Sequence, residues 1–179
     1  MMTVERLRKM QYIFFRLRDI LELKSLKAVY YALSQSILQY GIVGWGGAYE
    51  NALTPLKVMQ RSIIKIILKK PPDYPTSELY RDFPVLSLER IFKKMALVQI
   101  YKDYFVHNLY PRDCIGVRSR GVGLIKVPLR RTTTGQHHYS FLGVRWYNEL
   151  ESAYRYRPDV NFVKYRENIK EYILSLIHI

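Results

Sequence analysis

The chain has 179 residues, 49% of them hydrophobic, with 29 Lys and Arg against 15 Asp and Glu, a net charge of +14 and a pI near 9.8. That length suits one domain or two small ones, and the apolar content argues for packing rather than disorder. No apolar run approaches the roughly 20 residues of a membrane span. The amino terminus, "MMTVERLRKMQ", is charged and has no leader-like apolar centre, so an intracellular chain, nuclear or cytoplasmic and not secreted, is expected. Cys114 is the only cysteine, which excludes an intramolecular disulfide and a cysteine-based zinc site.

The charge is uneven. Residues 1–70 hold 12 basic and 4 acidic side chains and residues 111–145 hold 7 and 1, while 71–110 and 146–179 each hold 5 and 5. Two concentrated basic regions point to a polyanion partner, because neutralised phosphates release counterions.

In chain order, residues 4–21 place Leu7, Met10, Phe14, Leu17 and Leu21 at spacings of three and four, one face of a helix. Arg6, Lys9, Arg16 and Arg18 lie mostly off that face. Residues 24–41 repeat the pattern with Leu26, Val29, Tyr30, Leu33, Ile37 and Tyr40, after a turn at "ELK". A third helix is expected over 53–70, capped by Thr54, with Pro55 at its first position and Leu56, Met59, Ile63, Ile66 and Ile67 inward. Pro71-Pro72 stops it. A short helix follows from Thr76, then an extended "FPVL". Ser87 is expected to cap a helix to about Asn108, with Ile91, Met95, Val98, Tyr101 and Phe105 on its apolar face. Residues 109–138 are basic and rich in Gly, Pro and Thr, an irregular segment with a short strand at "GLIKVPL". The pattern turns helical again at "FLGVRWYNEL" and "NFVKYRENIKEYILSLI". The fold class is mainly α, divided by composition into a helical domain (1–110), a basic loop or linker (111–138) and a C-terminal helical segment (139–179).

Catalytic signals are missing. His137 and His138, if on one helix, would point about 100° apart, poor geometry for one metal. There is no GxxxxGK loop and no GxSxG elbow. Asp73, Asp82, Asp103, Asp113 and Asp159 are scattered, with no Asp-Asp pair for a two-metal centre. No catalytic residue and no metal ligand is assigned.

The stretch "SILQYGIVGWGG" (36–47) interrupts an apolar helix with Gly41 and sets Trp45 between Gly44 and Gly46. A glycine there ends a helix in the left-handed region or lets backbone approach closely. Trp45 is expected to set the angle between the helix ending near Tyr40 and the one beginning near Thr54. "VYYALSQSILQYGIVGWGG" followed by "LTPLKVMQRSIIKIILKKP" resembles the region just after the catalytic palm of non-LTR (LINE-type) retrotransposon reverse transcriptases. That family has a helix ending in Ser-x-x-x-Tyr-Gly, a Trp, then a helix with Leu-x-x-x-Gln-(Lys/Arg). The matching positions are Ser36, Tyr40, Gly41, Trp45, Leu56, Gln60 and Arg61. The likeness continues through "YPTSELYRDFPVLSLERIF" and, more faintly, "RTTTGQHHYSFLGVRWYNEL", where Tyr147, Asn148 and Leu150 match but Glu151 replaces the usual proline. It spans most of residues 5–175.

The family's polymerase motif, an aromatic residue followed by x-Asp-Asp, is missing, as are the fingers and palm. The resemblance therefore implies the thumb and the segment beyond it: a helical thumb-like bundle, non-catalytic by itself, from an RNA-directed DNA polymerase. It implies RNA and DNA as partners, in a template–primer duplex, and docking against the missing palm. The parent enzyme would use magnesium; no cofactor, small-molecule ligand or membrane contact is expected of this chain. Arg6, Arg8, Lys9, Arg16, Arg18, Lys65, Lys69 and Lys70 would meet phosphates from helix faces. Arg118, Arg120, Lys126, Arg130 and Arg131 would do so from the loop. Such contacts position a duplex without reading its sequence. The alternative is a stand-alone helical protein-interaction module derived from a retroelement.

Overall fold

The computed structural model describes residues 2–109, 115–116, 124–155 and 160–175; Cys114, Arg118 and Arg120 lie outside them. The fold is mainly helical. The chain packs as two compact units, one from residues up to Ile42 together with Tyr49–Ile91, the other from Val43–Ala48 together with residues from Phe92 onward. Packing defines these units, whereas the three segments above follow composition.

In the first unit, α1 (Met2–Leu17) ends earlier than its apolar spacing suggests. The chain turns over residues 18–22, with Ile20 N and Leu21 N both donating to Leu17 O. It resumes as α2 (Leu23–Tyr30), so the break precedes "ELK". One wide π-helical turn, Tyr31–Gln35, joins α2 to α3 (Ser36–Gln39). Ser36 Oγ donates back to Ala32 O at 2.6 Å. Gly41, at φ 62°, then closes the helix in the left-handed region, one of the two roles expected of it. Tyr40, expected on the apolar stripe, is instead 84% exposed, because the helix ends at Gln39 and Tyr40 turns away in extended backbone.

The helix expected over 53–70 is α5 (Glu50–Ile67), preceded by the short α4 (Ile42–Trp45). It starts before Thr54, which does not cap it. Thr54 Oγ1 donates to Glu50 O at 2.8 Å, and Pro55 sits inside the helix. The local Thr-Pro signal yields to Glu50 in the first turn, whose carboxylate suits a helix start and pairs with Lys57 at 2.8 Å. α5 ends where Pro71-Pro72 require. Lys69 N donates to Ile66 O and Lys70 N to Lys65 O, a Schellman closure with Lys69 itself left-handed at φ 54°. α6 (Thr76–Asp82) and α7 (Leu88–Tyr101) follow, α7 opening where Ile91 N meets Ser87 O at 2.8 Å.

The core of the first unit gathers Leu7, Phe14, Leu26, Tyr30, Leu38, Ile63 and Phe83, with the Tyr30 and Phe83 rings edge to face at 5.5 Å.

In the second unit a second π turn, Lys102–Val106, extends α7. Within the basic segment the described residues hold a minimal antiparallel pair, β1 (Ile115–Gly116) with β2 (Leu124–Ile125), Ile115 opposite Ile125. They also hold α8 (Thr133–His137). His138 is not on that helix: its ring caps α9 (Tyr139–Glu149) by accepting from Ser140 N. Asn148 acts as a third strand, accepting from Ile125 N at 3.0 Å and donating to Ile125 O at 2.8 Å. α10 (Phe162–Ser175) lays Tyr165 flat on Tyr101, with ring centres 3.9 Å apart. Gly143 lets α9 approach α7; a Cβ there would stand 2.7 Å from Ile100 Cγ1. Gly47 is equally constrained, since a Cβ would fall 1.9 Å from the His137 carbonyl oxygen. Among the described residues no helix is long and apolar enough to cross a membrane.

Candidate nucleic-acid interface

The rotation of α1 is set by Leu7 and Phe14, two helical turns apart and fully buried, and by Gln11, which donates to Ser62 Oγ on α5 at 2.7 Å. The opposite side then faces solvent and carries Arg6, Arg8, Lys9 and Arg16, all exposed. Glu5 is the only carboxylate on the helix. Two aromatic residues lie among these cations, Tyr12 at 68% exposure and Phe15 at 49%. The Arg18 guanidinium covers the Phe15 ring at 4.2 Å. Exposed rings between cations suit an unpaired base or a sugar as well as phosphate. Sequence reasoning passes over Tyr12 and Phe15, although both occupy outward positions on the same helical wheel.

Arg18, Lys65 and Lys70 come together elsewhere in the same unit. They line a cavity of about 600 Å³ between α5, the turn after α1 and the connector Pro71–Thr76. Arg61 completes the cationic wall, a residue singled out only as part of the motif. Asp73 is the only carboxylate on the lining. Lys65 Nζ donates to Pro72 O. Lys70 is 3.3 Å from both Tyr74 Oη and Asp82 Oδ2, and those two hydrogen bonds hold its ammonium above the ordinary lysine value. Tyr74 donates to Asp82 at 2.7 Å and, with Lys70, holds that carboxyl below the usual carboxylate range. Lys69 is diverted to Asp19 at 2.6 Å and does not reach the cavity lining; its hydrogen bond lowers the Asp19 pKa.

Lys126, Arg130 and Arg131 are exposed in the second unit, with Arg130 Nη2 3.4 Å from Ser140 Oγ. That unit also holds a cationic group the segment counts conceal. Burial depresses the Lys94 ammonium, and Lys170 and Arg166 on α10 add to the effect. The signal was local: Arg166 and Lys170 are four apart on one helix, masked by acidic neighbours in the tally.

The motif residues divide by role. Leu56 and Gln60 are buried, Gly41 ends a helix, Trp45 is half-buried in α4, and Ser36 bonds its own helix. Gln60 donates to Tyr30 Oη at 2.9 Å and Leu86 O at 2.8 Å, and accepts from Leu88 N at 3.0 Å and Tyr80 Oη at 3.2 Å. Among the described residues no three of His, Cys, Asp or Glu group as they would around a metal ion. Comparison with protein-family models, curated proteins and solved structures returns no match.

Proposed function

We propose that the chain is a non-catalytic part of a non-LTR retrotransposon reverse transcriptase, an RNA-directed DNA polymerase, and grips template–primer nucleic acid through its backbone. The observation that supports this most is the outer face of α1, where four exposed cations and two exposed rings share one surface with a single carboxylate. Each phosphate met releases counterions, so four contacts make affinity for a duplex fall by roughly three to four orders of magnitude for a tenfold rise in salt.

The test is fluorescence anisotropy with an RNA–DNA hybrid and a DNA duplex across a salt series. The wild-type chain binds both with a steep salt slope and little sequence preference. A variant carrying R6Q, R8Q, K9Q and R16Q binds at least tenfold more weakly with a shallower slope. Equal binding by that variant, or salt-independent binding, overturns the proposal. A second reading, a stand-alone helical protein-interaction module derived from a retroelement, is favoured by Ile20 (76% exposed), which with exposed Leu23 follows Tyr12 and Phe15 in the chain. It requires a protein partner whose affinity salt barely moves.

A further inference from the structure

We propose that the cavity between α5 and the Pro71–Thr76 connector binds a nucleoside phosphate, either a free nucleotide or the terminal nucleotide of a strand. Four cations border one hollow with one carboxylate opposed. Lys70 is committed to Asp82, and Arg18 Nε lies 3.8 Å from Asp19. Arg61 and Lys65 have no carboxylate within 4.0 Å among the described residues, and Arg61 makes no hydrogen bond there. Arg61 and Lys65, two cations on the same lining without acidic partners, are relieved by an anion, and Arg61 can offer a phosphate two parallel N–H donors.

Size and wall chemistry select the rest of the ligand. About 600 Å³ falls within the range of small-molecule sites, far more than an inorganic phosphate fills. Val58 and Ile66 supply apolar wall, Tyr74 an aromatic edge to it, and Ser62 a hydroxyl. The site is preorganised: the Tyr74 hydroxyl is tied to Asp82, Lys70 stands 4.4 Å over its ring, and Lys65 is tied to the connector carbonyl. A phosphate head and a flat, partly apolar body match this lining.

The inference deepens the nucleic-acid reading, yet its test alters Arg61 and Lys65, which the four-site α1 variant leaves intact, and it can fail separately. Isothermal titration of the full chain with AMP, adenosine and inorganic phosphate is the direct test. AMP is expected to bind more tightly than phosphate, and adenosine not to bind at millimolar concentration. R61Q with K65Q weakens AMP at least tenfold, R61K, which keeps the charge but loses the paired donors, weakens it by less, and the four-site α1 variant leaves it unchanged. Circular dichroism and urea unfolding confirm that each variant folds. Displacement of AMP by a 5′-phosphorylated oligonucleotide but not its 5′-hydroxyl twin identifies a strand end as the source; displacement by neither identifies a free nucleotide. AMP that fails to bind, binds no better than phosphate, or binds the R61Q/K65Q variant equally overturns the cavity site. Duplex binding that survives such a result leaves the α1 reading standing.

Discussion

Gln60 uses both ends of its buried amide, with two donors and two acceptances spanning α2, the strand-like connector, α6 and the start of α7. Replacing it with leucine keeps the volume but strands Tyr30 Oη, Leu86 O and Leu88 N in a dry interior. Q60L is therefore expected to cost about 3 kcal/mol, read as a lower urea midpoint with an unchanged slope. Unchanged stability would show that water replaces the amide. The sequence held a clue to this role: Gln60 falls four after Leu56 and three before Ile63, a polar residue on an apolar stripe. Arg61 gave no such clue, because its importance comes from Arg18 and Lys70 arriving from distant parts of the chain. Tyr40 misled for a local reason: its spacing fits the stripe, but the preceding residue is the last helical one.

At the scale of elements, periodicity locates α1, α5 and α7 because each buries one apolar face, and Pro71-Pro72 correctly stops α5. Boundaries were less legible where local chemistry offered two answers. Thr-Pro at 54–55 is a good helix start, yet Glu50 with its Lys57 partner is a better one. The two π turns leave no mark on the pattern, since apolar residues at spacings of three and four tolerate a wider turn. The Asn148 clamp on Ile125 was beyond reach because it joins residues 23 apart through an amide imitating a strand. α1's cationic face was readable from helical spacing alone; the cavity, made by a turn, a helix flank and a connector, was not.

For the molecule as a whole, alkaline pH is a sharper probe of folding than acid. Burial pushes the Tyr80 hydroxyl up to about 12 and raises Tyr30 and Tyr165 beyond the ordinary tyrosine value. A raised folded pKa means full stability below the unfolded value, near 10, and loss as pH climbs through the folded value. Helical ellipticity is thus expected to fall between about pH 10 and 12, together with a late rise in tyrosinate absorbance. Complete titration of the tyrosines with helicity intact would refute this. The division into units carries a different consequence, for synthesis. Val43–Ala48 belongs with residues made much later, and the Gly47 backbone rests against His137, 90 positions downstream. At ribosomal speeds that interval is about 5–20 s. For that time the segment emerges without its destination, while Tyr49–Ile91, made immediately afterwards, already has its partners. A fragment of residues 92–175 expressed alone is expected to be less protected from protease than the same residues in the full chain, and a separate peptide covering 43–48 to restore part of that protection. Equal protection without the peptide would mean the segment is a passenger.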